Sequence, residues 1–213
     1  MQRINILGLL AVSIALVIAS CNSEGEFPPA EDYDFFVQFT INGTETRFEN
    51  GVNGYGNGPG RVSYADNVGP IHSEFTLYST ATDDISFGKN IVKIQRVEVK
   101  EDSIVPTYAE SYQLFSVGNY NYGSAIEDSV TGGINGVVIE YVDGDSTVWT
   151  SDAKIGAQES SASFEITAHE DSSNELFGAK TAGTFNCRVF NQNGNHLDLA
   201  NGTFRARTIF KEQ

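Results

Sequence analysis

The stretch Asp34-Phe-Phe-Val-Gln-Phe-Thr-Ile-Asn-Gly-Thr-Glu-Thr-Arg-Phe48 decides the fold class. Phe35, Val37, Phe39 and Ile41 recur at every second position, with Gln38 and Thr40 between them. A period of two puts the apolar set on one face of a strand and the polar set on the other. Asn42-Gly43 supplies two residues that tolerate positive φ, as a type I′ turn requires, and residues 44–48 return as the partner strand. Twenty-one glycines, many Thr, Val, Phe and Tyr residues and few helix-period patterns extend this to an all-β architecture.

The rest of the chain agrees. Residues 61–64 and 71–78 read as strands, the second with Ile71, Ser73, Phe75 and Leu77 inward. In 91–100 the apolar phase moves from Val92 and Ile94 to Val97 and Val99, which predicts a bulge near Gln95-Arg96. Residues 137–142 are apolar on both faces, as in a central strand. Asp143-Gly144-Asp145-Ser146 turns the chain into 147–151, which carries Trp149. Residues 162–168 place Phe164 and Ile166 inward and Glu165 outward, with His169 outward as well. Phe185, Cys187 and Val189 share one face of 184–190. A strand ending at Leu197 and Leu199, a turn at Asn201-Gly202 and a last strand over 203–210 complete the pattern. Thr107-Tyr-Ala-Glu110 is a capping box for one short helix over about 108–115, with Gly118 as its stop. Between 50 and 60 five of eleven residues are glycine, which predicts a long loop around Tyr55; a binding loop and a tolerated insertion both fit. Nine or ten short strands with regular turn signals spell an antiparallel β-sandwich over 33–213, with a barrel as the alternative.

The N-terminus does not belong to that pattern. Arg3 precedes an apolar run of about 14 residues, shorter than the roughly 20 that a bilayer core needs. Small residues end the run at Cys21. A basic start, a short apolar run and a small-residue end make a secretory signal, here residues 1–20. Ile18-Ala19-Ser20-Cys21 resembles the bacterial lipobox, and the resemblance implies cleavage before Cys21 and acylation of its thiol, a palmitate-type anchor. Residues 21–32 then form an acidic, Pro28-Pro29-stiffened tether. Its eleven residues after Cys21 reach at most ~36 Å. An acidic stretch so close to the anchor loosely resembles the surface-export signals of Bacteroidota lipoproteins; Glu24 and Glu26 are interrupted by Gly25.

The chain carries 13 Lys and Arg against 28 Asp and Glu, a formal charge of −15. Arg3 is the only charge in the first twenty residues, so the mature chain stands at −16. Such a surface repels phosphate backbones and anionic headgroups, which excludes nucleic acid as a partner and leaves acyl chains as the hold on a membrane. With Cys21 acylated, Cys187 has no intramolecular disulfide partner.

Three stretches carry a wider likeness. They are Phe39-Thr-Ile-Asn-Gly43; Val138-Ile-Glu-Tyr-Val-Asp-Gly-Asp-Ser-Thr-Val-Trp-Thr-Ser151 with Ser163-Phe-Glu-Ile-Thr167; and Gly183-Thr-Phe-Asn-Cys-Arg-Val-Phe190 with Asn201-Gly-Thr-Phe204. Together they resemble the small β-sandwich lipoproteins of Bacteroidota, of flavobacterial type, a group mostly without assigned functions. The resemblance implies a sandwich and a place on the outer membrane, on its periplasmic or its surface face. It carries no residue-level chemistry.

Candidate sites are sparse. Asp143 and Asp145 have the two-residue spacing of calcium loops, but the other liganding positions are missing and a hairpin turn explains both. Asp83-Asp84 and Glu101-Asp102 are weaker. His72, His169 and His196 are scattered, with no His-x-His or Cys-x-x-Cys pair, so no zinc site is expected. Cys187 reads as a buried core thiol, and no Gly-x-Ser-x-Gly elbow is present. Glu140 and Glu165, if they faced each other across a cleft at about 5–9 Å, would suit glycoside hydrolysis. Tyr55, Tyr120, Tyr122 and Trp149 are candidate sugar-stacking aromatics, Tyr120 and Tyr122 in a Gly/Asn turn after the helix, with core packing the competing role for Trp149. The triplets at Ser103, Ser129 and Ser146, each after an Asp, resemble envelope O-glycosylation sites, though Thr147 departs from the pattern at the third. No cofactor is indicated. The reading that results is a non-catalytic, lipid-anchored sandwich that binds a glycan or an envelope protein. The alternatives are a carboxylate-dependent polysaccharide hydrolase and a purely structural envelope component.

Overall fold

The expected hairpin is present: Phe36–Ile41 (β1) pairs with Thr44–Glu49 (β2) from Phe36↔Glu49 to Ile41↔Thr44. Asn42 and Gly43 have φ of 50° and 79°, the left-handed pair that the turn demands. In this computed structural model, side chains are described for residues 35–50, 89–99, 107–126, 133–171 and 179–206, Tyr108 excepted. The backbone alone is described for 55–58, 62–63, 70–79 and 207–208. The signal and tether expectations for 1–32, with Cys21, lie outside these residues. So do Asp83, Asp84, Glu101, Asp102, Ser103 and Ser129.

The remaining strands are Tyr55–Gly58 (β3), Val62–Ser63 (β4), Pro70–Ser79 (β5), Ile91–Val99 (β6), Gly118–Asn119 (β7), Gly136–Val142 (β8), Val148–Thr150 (β9), Ser163–Asp171 (β10), Ala179–Phe190 (β11) and His196–Thr208 (β12). Every pairing between them is antiparallel. The helix is Tyr108–Gln113 (α1), and both bonds of its capping box form, Glu110 N–H to Thr107 Oγ1 and Thr107 N–H to Glu110 Oε2. Among the described residues the fold is therefore all-β with one short helix.

The hydrogen-bonded order runs β2-β1-β12-β11-β9-β8-β6-β5-β3, with β10 also on β11, β7 on β10 and β4 on β5. This path bends back on itself. Phe39 of β1 meets Tyr141 of β8 edge-on at 5.5 Å, and Phe48 of β2 lies 6.4 Å from the same ring. The β1–β2–β12–β11–β10 layer thus faces the β6–β8 layer across one core. β8 is central, as its two apolar faces imply: Val137, Ile139 and Tyr141 join the core, while Val138 and Val142 are buried on the opposite face.

Four expectations need correction. Tyr55–Gly58 is a strand on β5, not loop; pairing uses peptide groups alone, and a terminal strand in the sheet order tolerates glycine. β6 carries no bulge at Gln95-Arg96, because its register to β5 and to β8 runs unbroken through both residues. The apolar phase changes because Arg96 takes an inner-face position, with its guanidinium 4.5 Å from the Tyr120 ring centroid, while Val97 is buried on the other face. Burial lowers the pKa of Arg96, against the opposing effects of Tyr120 and Glu98. Asn201-Gly202 does not turn the chain: β12 passes straight through it, with a register slip against both β1 and β11. Asn201 at φ 53° makes that slip a bulge. Finally, Tyr120 and Tyr122 do not sit in a turn but in an extended connector. It bonds β10 through Tyr120 N–H to Phe164 O and β8 through Val137 N–H to Asn121 O, both 2.9 Å.

The slip in β12 places glycine under aromatic rings. Phe185 lies over Gly202 and Phe204 over Gly183, each ring on its cross-strand partner, and all four are within the buried region. A Cβ at Gly183 would stand 2.7 Å from Cε1 and Cζ of Phe204 and closer still to the Glu165 carbonyl oxygen. Gly183→Ala is therefore expected to destabilise the fold by about 1–3 kcal/mol. A lowered urea midpoint at unchanged slope would record it.

Candidate functional site

The chemistry gathers where one edge of β11 is shared. β10 pairs with it up to Ser163↔Asn186, and β9 joins only at Phe190↔Thr150. Between these lies Arg188, whose peptide groups on that edge have no strand opposite. The Gln158 side chain takes the place of one: Arg188 N–H donates to its Oε1 at 2.9 Å, and its Nε2 donates to Arg188 O at 2.7 Å. Nε2 also reaches Ser151 O at 3.2 Å. A primary amide can do this because it carries a donor and an acceptor with peptide spacing.

The loop that delivers Gln158 is pinned at its base by Asp152. This buried carboxylate accepts Ala125 N–H at Oδ2 and Lys154 N–H at Oδ1, both 2.9 Å. From inside the core Tyr122 points its hydroxyl at the same fork. Its single proton is shared between Ser163 O at 3.0 Å and Asn186 O at 3.1 Å, with the Cys187 thiol in hydrogen-bonding reach. Burial, and to a lesser degree Cys187, raises the pKa of Tyr122.

On the outer face above the fork lies an open groove of about 500 Å³. Arg188 and Asp198 are direct cross-strand partners there. Arg188 Nε donates to Asp198 Oδ1 at 2.8 Å, and its Nη1 engages Glu159 from the Gln158 loop. The bond to Arg188 holds the Asp198 carboxyl below its ordinary range, while the same contact raises the Arg188 pKa. Ser161, Ala162, Asn186, Cys187, Leu199 and Ala200 complete the lining.

The residues singled out from sequence are not brought together. Asp143 closes the β8–β9 turn. Its Oδ1 accepts the N–H groups of Asp145 and Thr147, and its Oδ2 accepts Trp149 Nε1, each at 2.9 Å. Partial burial resists its ionisation, but these bonds outweigh that and lower its pKa. Both oxygens serve the turn, and Trp149 packs against the core with its indole nitrogen engaged. Among the described residues no three His, Cys, Asp or Glu side chains are grouped as a metal would need. Glu140 lies on the face of β8 opposite Val137, Ile139 and Tyr141, and Glu165 is exposed on β10 between the buried Phe164 and Ile166. The core therefore separates the two carboxylates, and they form no cleft pair. His169 bonds Thr181 Oγ1 at 2.8 Å and lies 4.2 Å from the Tyr112 ring, so it is half-buried rather than outward. His196 opposes Phe190, nine residues further along β11 than Thr181, about 30 Å away. Tyr120 packs against the core and donates to Ser116 O at 2.6 Å. Ser146 is exposed at φ 64° in the turn. The side chains of Tyr55 and His72 lie outside the described residues.

Sequence reading missed Gln158, Glu159, Arg188 and Asp198. Only the pair Arg188 and Asp198 left a trace, as opposite charges on outward positions of two strands expected to be neighbours. No family model, curated protein or solved structure matches this chain.

Two outcomes follow from the fork. Gln158→Ala leaves two peptide groups of Arg188 without partners and should cost about 1–2 kcal/mol, whereas loss of an ordinary exposed side chain costs little. Hydrogen exchange at the Arg188 amide should quicken most. Burial pushes the Cys187 thiol from 9.0 up to about 12, partly relieved by Tyr122. The unfolded chain ionises first, so stability present below about pH 9 is lost as pH rises, by at most ~1.4 kcal/mol per unit. Cys187→Ala should flatten the fall in urea midpoint between about pH 9 and 9.5, where unfolded tyrosines are still mostly protonated. An unchanged slope would show that the thiol is not the titrating group.

Proposed function

We propose that this chain is a lipid-anchored protein of a bacterial cell envelope, held on the outer membrane through Cys21, that binds a glycan or a partner protein and catalyses nothing. The observation that carries the reading is the N-terminal sequence: Arg3, a short apolar run and Ile18-Ala19-Ser20-Cys21. The acidic charge supports it, since a surface at −15 gains nothing from anionic headgroups and needs acyl chains to stay on a membrane. For binding, the support is the solvent-facing groove over the β11 fork, with charged and polar groups held by strand register and by the pinned Gln158 loop. The carboxylates raised for a hydrolase stand on opposite sides of the core, so no specific observation favours that reading.

Cys21→Ser should leave the protein unprocessed or release it from the membrane fraction, and should abolish incorporation of labelled palmitate. Unchanged processing and attachment would defeat the anchor. The binding half is tested by a glycan array together with a pull-down from envelope extract, and silence on both would defeat it.

A further inference from the structure

We propose that the groove over the β11 fork is a binding subsite for a neutral carbohydrate; this rests on the binding function proposed above and assigns it a place and a ligand chemistry. The groove's volume of about 500 Å³ lies in the range of small-ligand sites. A protein interface would instead need roughly 800 Å² from each partner.

The polar groups define what fits. The carboxyl side chains of Asp198 and Glu159 are 62% and 55% exposed, and each has about four lone-pair positions. Arg188 occupies only part of that capacity: Nε and Nη2 bond the two oxygens of Asp198 at 2.8 and 3.4 Å, and Nη1 bonds Oε1 of Glu159. Asn186 gives one amide proton to Ser163 Oγ at 3.2 Å and accepts Asn201 N–H at 2.8 Å, which leaves its second amide proton for a ligand. Ser161 is exposed and can donate or accept. The groove thus presents a surplus of acceptors, a hydroxyl, one amide donor and the two N–H groups of Arg188 that these bonds leave over, around the small methyl of Ala200. A ligand dense in hydroxyl donors, with C–H faces that rest on a flat apolar spot, complements this set, and a pyranose is such a ligand.

Charge narrows the class. The triad of Glu159, Arg188 and Asp198 has a net charge of −1 in a chain of −15, which disfavours uronates and sulfated sugars. The guanidinium between the two carboxylates equally disfavours a metal or an organic cation. Arg188 acts here as a positioning residue: it fixes both carboxylates so that their free lone pairs stay directed to solvent.

The test uses the detergent-solubilised full chain and calorimetric titration with short β-glucan, α-mannan and galacturonan oligosaccharides. At least one neutral probe is expected to bind and the galacturonan is not. Ala200→Trp, which fills the groove, should weaken the neutral probe at least about tenfold. Ser161→Trp enters from the exposed loop and decides the matter should the strand variant fail to fold. Neutral binding that survives the substitution would overturn the site while leaving the binding function intact. Binding of galacturonan alone, or of no carbohydrate, would overturn the ligand class. In that last case a protein recovered in the envelope pull-down would preserve the broader function, and its absence would remove both.

Discussion

Sharing one edge of β11 between β10 and β9 is the constraint on which the rest depends. β12 covers the other edge along the whole strand, from Ala179↔Thr208 to Phe190↔His196. The free edge is occupied first by a strand of one layer and then by a strand leading into the other. That exchange is what folds a single hydrogen-bonded path into two facing layers. It also opens a gap, and buried peptide groups in a gap are costly unless something bonds them. Gln158 closes it along the edge and Tyr122 closes it from the core. The 151–162 loop must therefore come back to the fork, and in doing so it brings Glu159 and Ser161 beside Arg188. The groove is a consequence of how the layers are joined.

The same dipeptide shows how far local sequence can be read. Asn42-Gly43 and Asn201-Gly202 are chemically identical, and both asparagines adopt positive φ, 50° and 53°. One makes a hairpin and the other a bulge inside a thirteen-residue strand. The difference is in the surroundings. At 201–202 the flanking residues pair with β1 and β11 on both sides, and Gly202 is needed beneath Phe185. Backbone tolerance is local, but whether the chain reverses is settled by what lies against it. The all-β class, the first hairpin, the capping box and the double-faced β8 were legible because each depends on residues close in sequence.

Arg96 illustrates the opposite case. An arginine in an alternating pattern reads as a solvent position, so the phase seemed to break. Instead its guanidinium is held within the fold: Nη1 donates to Val97 O at 2.6 Å and Gly136 O at 2.9 Å, its plane lies over Tyr120, and Nε is buried without a hydrogen-bond partner among the described residues. Tyr120 reaches that position through a connector whose path no periodicity encodes. The groove was illegible for the same reason. Glu159 and Asp198 are thirty-nine positions apart, and only the register of β11 with β12 and the return of the Gln158 loop bring them to one guanidinium.

The fork also links the core to the proposed compartment. An exported chain meets oxidants, and a lone thiol there is open to mixed disulfides and sulfenic acid unless it is kept from them. Oxidation proceeds through the thiolate and needs access. Cys187 offers neither: it is 5% exposed between Phe185 and Val189, and its ionisation is pushed up to about 12 by burial. The Tyr122 hydroxyl that bonds across the gap is the group set against it. Loosening the fork would therefore expose the thiol and the unpaired peptides together. The stability of this one junction governs both the shape of the groove outside and the chemical survival of the core inside.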